Sequence, residues 1–234
     1  MSEDQAEKLS DLLVTISSPR SPMSEAYRTL RTNLQFVSLD KPLQTLMVTS
    51  PGPEEGKSTL LANLAVAMAQ GEKKVILADC DLRRPSLHKL FGLAQKTGLT
   101  TMMLEDAAMS DPPLQNTAVP GLQLLASGPL PPSPPDLLGS RRMDRVLDTL
   151  KERGDIVLID APPVVGVSDA AILATKVDGV LLVVSAGQTK RESVQRSKAM
   201  LEKVNANLIG AALTNVPLDA SLERYYYSQR EGAE

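Results

Sequence analysis

One short segment restricts the fold of this chain more than any other. Residues 46–60, LMVTSPGPEEGKSTL, join a short apolar run, a turn rich in proline and glycine, and the start of a run of small apolar residues. A strand, a glycine-containing turn and a helix in this order are the setting of a phosphate-binding loop, and Gly-Lys-Ser-Thr at positions 56–59 is how such a loop ends. The spacing G-x-x-x-x-G-K-[ST] is incomplete, because Pro51 occupies the first glycine position and Gly52 follows one place late. The segment predicts a phosphate loop; the alternative is an ordinary turn entering a helix.

The residue types in this loop match nucleotide chemistry. Gly56 lets the backbone turn so that amide groups point at phosphate oxygens. Lys57 is expected to reach the β- and γ-phosphates of a nucleoside triphosphate. Ser58 would give its hydroxyl to Mg²⁺, and Thr59 would lie near the α-phosphate. We assign Gly52 to the same nucleotide site.

Short apolar runs alternate with helical patterns along the rest of the chain. This alternation predicts an α/β fold with a mostly parallel sheet, helices on both faces, and ligands at the carboxyl ends of the strands. Strands are predicted over Leu46–Ser50, Lys74–Ala78, Leu122–Ala126, Asp155–Ile159, Gly179–Ser185 and Leu208–Thr214, and helices over Met23–Val37, Lys57–Gln70, Asp136–Arg153, Ser168–Ala174 and Arg191–Val204. Proline lacks a backbone donor, so Pro129–Pro135 is predicted to be a stiff loop. We expect a flexible segment over residues 1–22, one domain over 23–222, and a flexible segment over 223–234.

Two of the predicted strands end in carboxylates. Asp79 and Asp81 directly follow an apolar run, and residues two apart on a strand face the same way, so both are expected on one side. Asp160 ends another apolar run. If these strands are neighbours, three carboxylates converge opposite Lys57, and a divalent cation would remove the cost of bringing them together. We therefore predict Mg²⁺ ligands at Asp79, Asp81, Asp160 and Ser58; the alternative is solvated aspartates in turns.

Composition excludes several other classes of protein. The net charge of −3 indicates no basic surface for nucleic acid. A single cysteine, Cys80, can form neither a disulfide framework nor a cysteine-built metal site, which also excludes an iron–sulfur reductase. Residues 1–20 lack the apolar region of a secretory signal, and the longest apolar run, Val177–Ala186, is too short to span a bilayer. We expect a cytoplasmic protein without direct membrane insertion.

The tyrosines are concentrated near the C-terminus. Only four tyrosines occur in the chain, and Tyr225, Tyr226 and Tyr227 are consecutive. They follow one another without alternation, so a half-buried strand would expose at least one of them. They are expected either to be accessible in a mobile tail or to cap an apolar patch of the domain.

A charged strip is predicted on the first long helix. At 100° per residue, Glu25, Arg28 and Arg31 fall on one arc, opposite an apolar arc that would pack on the domain. We expect this strip to face outward, either as an interaction surface or as an ordinary solvated face.

Taken together, these motifs resemble the bacterial tyrosine kinases, a branch of the MinD/ParA-type P-loop ATPases. The resemblance rests on the phosphate loop and on ILADCDLRRP and VLIDAPP, and extends to EAYRTLRTNLQF, RRPSLHKLFGL, LPPSPPDLLGS and DAAILATKVDGVLLVVSAGQT. It covers nearly the whole chain and implies a P-loop NTPase fold. The phosphate loop of this family often lacks its first glycine, so Pro51 and Gly52 fit the family pattern.

The resemblance also implies roles for the site residues. The implied catalytic set is Lys57, Asp79, Asp81 and Asp160. Within that set, Asp79 would accept the tyrosine proton, and the loop would bind MgATP. Asn215 would contact adenine, with a turn asparagine before Pro217 as the alternative.

The family further implies an autokinase that regulates capsular or exopolysaccharide production. Tyr225, Tyr226 and Tyr227 would be autophosphorylated, commonly between neighbours in a ring, and the ring would form through the E-x₂-R-x₂-R pattern of the charged strip. The implied partners are a separate membrane-spanning chain-length-determinant adaptor, which would recruit the kinase to the inner face of the plasma membrane, and a cognate tyrosine phosphatase.

Two other functions stay open, a MinD-type membrane-cycling ATPase and a non-catalytic scaffold. The first is disfavoured because no lysine lies between Thr49 and Gly56 and the tail after Leu222 has no apolar stripe. Glu54 and Glu55 would place two negative charges beside the triphosphate. Glu55 is assigned to the nucleotide site with the rest of the loop, and both side chains are expected to point outward.

Overall fold

Parallel strands form the centre of the molecule. In residues 11–37 and 42–217, the part of the chain that the computed structural model describes, the strands are β1 (Thr45–Thr49), β2 (Val75–Asp79), β3 (Gln115–Asn116), β4 (Leu122–Leu125), β5 (Ile156–Asp160), β6 (Gly179–Ser185) and β7 (Leu208–Thr214). They make one sheet in the order β3-β4-β2-β5-β1-β6-β7. Neighbouring strands are parallel except for β3 and β4, which confirms the predicted sheet type.

Helices cover both faces of this sheet, as predicted. They are α1 (Val14–Ser17), α2 (Pro22–Val37), α3 (Lys57–Ala69), α4 (Leu87–Leu90), α5 (Leu99–Leu104), α6 (Ala107–Ser110), α7 (Pro134–Gly139), α8 (Arg141–Lys151), α9 (Asp169–Ala174) and α10 (Arg191–Lys203). One apolar cluster joins α2 and α3 to the sheet, and a second joins α8, α9 and α10 to it. Every residue of β1 and β2 is buried, because both faces are covered. Among these helices, none has the length and hydropathy needed to cross a membrane.

The strand order brings the predicted site residues to one edge of the sheet. β5 lies between β1 and β2, and Asp160 is paired in register with Val48 on β1 and with Asp79 on β2. The phosphate loop leaves β1 at the same edge. The loop and the two strand-end aspartates therefore meet where parallel α/β sheets place their ligands.

The proline-rich segment corrects two predictions. The stiff loop predicted over Pro129–Pro135 ends early, because Pro134 and Pro135 begin α7. The first N–H groups of a helix have no partner within it, so proline is accepted there. The single helix predicted over Asp136–Arg153 is divided between α7 and α8, since Ser140 has extended backbone with φ −70° and ψ 156°.

Residues 11–21, predicted as part of a flexible segment, contact the domain. The N–H and the hydroxyl of Thr15 donate to Oδ1 of Asn63 on α3 at 3.1 and 2.9 Å. Nδ2 of Asn63 donates to the carbonyl oxygens of Leu12 and Thr59 at 2.8 and 2.9 Å. A buried asparagine thus holds this segment on the helix that follows the phosphate loop.

Candidate active site

The phosphate loop joins β1 to α3 through a left-handed residue. Gly56 has φ 81° and ψ 12°, a conformation that residues with a side chain seldom adopt. A Cβ at this position would lie 3.4 Å from Cγ2 of Thr214, and the hydroxyl of Thr214 donates to the carbonyl oxygen of Glu55 at 2.7 Å. The end of β7 therefore supports the loop just before α3 begins.

A carboxylate from within the loop closes the turn that lacks its first glycine. Glu55 is only 8% exposed, and its Oε1 accepts a hydrogen bond from the N–H of Gly52 at 2.9 Å. The expectation that both glutamates point outward is therefore wrong for Glu55, because its bond to Gly52 draws the side chain inward. Glu54 is exposed. The second oxygen of Glu55, Oε2, is buried and has no hydrogen-bond partner in the described part of the chain.

Lys57 lies between two buried carboxylates. Its Nζ donates to Oδ2 of Asp81 at 3.0 Å and to Oδ1 of Asp160 at 3.1 Å, and it lies 3.1 Å from Oγ of Ser58. Ser58 donates to Oδ2 of Asp160 at 2.5 Å. The fold thus brings four of the predicted site residues into direct contact at the first turn of α3.

Asp79, the last residue of β2, and Asp81, just beyond it, each use one carboxylate oxygen to hold the local backbone. Oδ2 of Asp79 accepts two backbone N–H groups, both at 3.0 Å, and Oδ1 of Asp81 accepts two at 3.3 and 3.0 Å. The donors are Ser86 and Leu87 for Asp79, and Arg83 and Arg84 for Asp81. The other oxygen of Asp81 is bound by Lys57. By contrast, Oδ1 of Asp79 is buried without a hydrogen-bond partner among the described residues.

Burial dominates the ionisation of these groups. Burial, and then the charge of nearby Asp160, raises the pKa of Asp79 to about 8. Burial also raises the pKa of Asp160, against the opposing effect of Lys57. For Lys57, burial disfavours the charged form, but Asp160 and Asp81 outweigh it and raise its pKa. One cation beside three carboxylates leaves an excess of negative charge, which a protonated Asp79 relieves.

The oxygen atoms of the site suit a magnesium ion that is shared with a nucleotide. In the described residues, no group of three His, Cys, Asp or Glu side chains is arranged to hold a metal ion alone; Asp81 and Asp160 bind Lys57 instead. Mg²⁺ usually takes one or two carboxylates and completes its shell with water and phosphate oxygens, so a full protein cage is not required. The unpartnered Oδ1 of Asp79 and the hydroxyl of Ser58 are oxygen donors of the kind it prefers.

Asn215 lies just beyond the end of β7, at the same edge of the sheet. Its φ of 54° is a left-handed conformation that asparagine tolerates. Its Nδ2 donates to Oγ of Ser185 at the end of β6, at 2.9 Å. This contact fits a turn asparagine, and the contact with adenine stays a prediction.

The charged strip of α2 is partly bound to its own domain. Nη1 of Arg31 donates to the carbonyl oxygen of Ala67 at 2.6 Å, so the expectation that the whole strip faces outward is wrong for this residue. The last carbonyl groups of a helix lack partners within it, and Ala67 is near the end of α3. Arg28 pairs with Glu25 and donates to the carbonyl oxygen of Pro19 at 2.7 Å.

Known proteins resemble this chain over most of its length. The ParA family model, described as NUBPL iron-transfer P-loop NTPase, matches residues 43–218. Tyrosine-protein kinase YwqD of Bacillus subtilis is 39% identical over 219 residues, which are 94% of this chain and 92% of that protein. The chain belongs to the bacterial tyrosine-protein kinase family.

Solved structures agree with this family. The crystal structure of the chimerical protein CapA2B2 matches this bacterial tyrosine kinase with a TM-score of 0.84 at 35% identity, over 89% of this chain and 91% of that one. The kinase domain of Escherichia coli tyrosine kinase ETK gives a TM-score of 0.79 at 30% identity, over 88% of this chain and 82% of that one. The predicted P-loop NTPase fold is confirmed.

Sequence reasoning missed several contacts that support the site of this kinase. Asp169 is fully buried and bound by Arg83, although each reads as a surface residue in the sequence. Thr214 supports the loop from the opposite end of the chain. Asn63 is the one residue with a usable signal, since an amide in the middle of the apolar run LLANLAVAMA needs buried partners. The tyrosine cluster at 225–227 lies outside the described residues.

Proposed function

We propose that this protein is an ATP-dependent tyrosine kinase that phosphorylates Tyr225, Tyr226 and Tyr227 of its own chain. Its membership in the bacterial tyrosine-protein kinase family supports the reaction. The three consecutive tyrosines supply an acceptor within the chain. ATP is the proposed phosphate donor, and Mg²⁺ is the proposed cofactor.

The arrangement around Lys57 carries this proposal. The ammonium group lies within 3.1 Å of oxygens of Asp81, Asp160 and Ser58, at the beginning of α3, where the positive end of the helix favours phosphate. On binding ATP, Lys57 would exchange carboxylate oxygens for oxygens of the β- and γ-phosphates. Ser58 would then bind Mg²⁺, and Asp79, Asp81 and Asp160 would hold the ion largely through its water ligands, so that Oδ1 of Asp79 can still accept a proton. The bound ion supplies positive charge that neutralises the triphosphate.

Asp79 is the proposed proton acceptor. The tyrosine oxygen forms a bond to the γ-phosphorus, the bond from that phosphorus to the β,γ-bridging oxygen breaks, and ADP leaves. The tyrosine proton passes to Oδ1 of Asp79, the buried oxygen without a partner in the described residues. In the nucleotide-free site the carboxyl group has a pKa of about 8, so it must lose its own proton before it can accept one from tyrosine.

Resemblance to the family supports the partners that we propose. A homo-oligomeric ring would form through the strip of Glu25, Arg28 and Arg31, and the tail of one subunit would reach the site of the next. Arg31 would then exchange its bond to Ala67 for one to the neighbour. A membrane-spanning chain-length-determinant adaptor would recruit the kinase to the inner face of the plasma membrane, a tyrosine phosphatase would reset the tail, and the cycle would regulate capsular or exopolysaccharide production.

Mass spectrometry after incubation with MgATP tests the reaction, with and without the cytoplasmic segment of the adaptor. We expect phosphate on the tyrosine cluster of the wild type, and none after Lys57→Met or after replacement of all three tyrosines by phenylalanine. Lys89→Met is the matched control, because this lysine is exposed and should be dispensable. A wild type that hydrolyses ATP but never forms phosphotyrosine would overturn the kinase function and favour a nucleotide-dependent switch, which the ParA family model also fits.

Light scattering tests the ring. Arg28→Ala is the cleaner variant, because it removes only contacts with Glu25 and Pro19, whereas Arg31→Ala removes a contact with α3. We expect Arg28→Ala to shift the mass toward the monomer. A mass equal to that of an oligomeric wild type would show that the strip is only a solvated face.

A further inference from the structure

The ion pair between Arg83 and Asp169 lies outside the cluster around Lys57 and connects the segment after β2 to α9. Asp169, the first residue of α9, is fully buried. Nε of Arg83 donates to its Oδ2 at 2.8 Å, and Nη2 of Arg83 donates to its Oδ1 at 3.0 Å. This two-point planar contact is one that arginine can make and lysine cannot.

This pair connects two segments that carry site aspartates. Arg83 comes two residues after Asp81, and its backbone N–H donates to Oδ1 of Asp81 at 3.3 Å. Asp169 begins α9, the helix that follows β5 and therefore Asp160. A displacement of Arg83 would move the backbone that holds Asp81 relative to the strand that ends in Asp160.

The next residue, Arg84, shares the backbone contact with Asp81 but not the ion pair with Asp169. The backbone N–H of Arg84 also donates to Oδ1 of Asp81, at 3.0 Å. Both arginines are exposed, but the side chain of Arg84 forms no ion pair within residues 11–37 and 42–217. The two arginines therefore carry the same charge on the same segment, but only one of them holds a buried carboxylate.

We propose that the Arg83–Asp169 ion pair is a positioning device for phosphoryl transfer, which fixes the segment over residues 79–86 against α9. It would thereby keep Asp79 and Asp81 in the arrangement around Lys57 that the reaction requires. The inference rests on the proposed kinase function. Arg83 is assigned as a positioning residue because both of its bonds to Asp169 are used within the fold, and its release would leave Asp169 buried without its cation, which is strongly unfavourable.

A comparison of Arg83→Ala with Arg84→Ala tests the proposal, because each removes one positive charge from the same segment. Since small misplacements of reacting groups have large effects on rate, Arg83→Ala should lower kcat for tyrosine phosphorylation by roughly 10- to 100-fold. Its KM for ATP should change little, because the pair does not contact the phosphate loop. Arg84→Ala should retain the wild-type kcat.

A double variant separates positioning from folding. Arg83→Ala leaves Asp169 unpaired, so its thermal midpoint should fall as well. Arg83→Ala/Asp169→Asn also removes the buried charge, so it should regain much of the thermal stability and still have a low kcat, because the connection is absent. A double variant that regains both stability and rate would overturn the proposal, as would an equal loss of kcat in Arg84→Ala.

The failure of the kinase function can be distinguished from the failure of this inference. If the wild type forms no phosphotyrosine, the same variants are compared by their rate of MgATP hydrolysis, which depends on the same aspartates. A low hydrolysis rate in Arg83→Ala and in the double variant, beside a wild-type rate in Arg84→Ala, would support the positioning role. Equal rates in all of these proteins would refute it.

Discussion

Replacement of Asp79 by asparagine should stabilise the folded protein at neutral pH and abolish phosphoryl transfer. The carboxyl group is fully buried, and its pKa is raised to about 8 by burial and then by the charge of Asp160. In the unfolded chain an aspartate titrates near ~3.9. Between these two values the folded state holds a proton that the unfolded state has released. Stability is therefore greatest below the unfolded pKa and decreases as the pH rises toward 8.

The magnitude follows from the size of this shift. Within the window, each pH unit removes at most about 1.4 kcal/mol from the free energy of unfolding. Asparagine does not titrate, so between pH 5 and pH 7 the variant should gain up to about 3 kcal/mol on the wild type. For a chain of this length, 1 kcal/mol changes the thermal midpoint by about 2–4 °C, so the gain corresponds to at most roughly 6–12 °C. The side-chain oxygen of asparagine can still accept the N–H groups of Ser86 and Leu87.

Urea denaturation at pH 5, 6, 7 and 8, in EDTA and without nucleotide, measures this difference. Asp111→Asn is the matched control, because Asp111 is exposed and its replacement removes the same charge from a solvated site. The free energies of unfolding of Asp79→Asn and the wild type should diverge as the pH rises, whereas those of Asp111→Asn and the wild type should stay parallel. A difference between Asp79→Asn and the wild type that is constant over this range would refute the raised pKa of Asp79.

Three further predictions concern other buried groups. Glu55→Gln should bind ATP more tightly than the wild type, because its amide oxygen can still accept the N–H of Gly52 while a negative charge near the phosphates is lost. Glu55→Ala should bind ATP more weakly, because the bond to Gly52 is lost as well. Titration with a fluorescent ATP analogue measures both affinities, and a change in the same direction for the two variants would contradict this reasoning. Asn63→Leu should lower the free energy of unfolding in urea by about 1–3 kcal/mol for each group left unsatisfied, Thr15 among them, and an unchanged value would show that residues 11–21 add no stability. Cys80 should react with a disulfide reagent only after unfolding, because burial raises the pKa of its thiol and denies access, so rapid labelling of the native protein would argue against the buried position.

The phosphate loop and the strand-end aspartates could be predicted because each depends on a local pattern. Gly56 and Lys57 occur in a fixed order between a strand and a helix, and Asp160 ends a continuous apolar run. Their meeting depends on strand order, since Asp160 reaches Lys57 only because β5 lies beside β1. The sequence predicted that the carboxylates converge if their strands are neighbours, and the strand order shows that the strands are neighbours.

The missed contacts are those in which a polar group binds a distant partner. Helical periodicity placed Arg31 on a charged arc, but it could not show that the carbonyl oxygen of Ala67 lies within 2.6 Å. Composition made residues 11–21 look mobile, although Asn63 binds Thr15 from 48 positions away. Such bonds require a register between elements, and hydrophobic patterning alone does not specify it.

The ionisation of the three site aspartates is the clearest example of a property that the sequence pattern does not predict. Asp79 and Asp160 end apolar strands and Asp81 comes shortly after one, so the sequence pattern does not distinguish their ionisation. The structure makes them unequal, because Lys57 donates to Asp81 and Asp160 but not to Asp79. Asp79 is paired in register with Asp160 and lies fully buried, so it is the carboxyl group whose ionised form is least compensated. Burial and the position of one ammonium group therefore decide which aspartate holds a proton at neutral pH, and that proton must leave before the free oxygen of Asp79 can accept one from tyrosine.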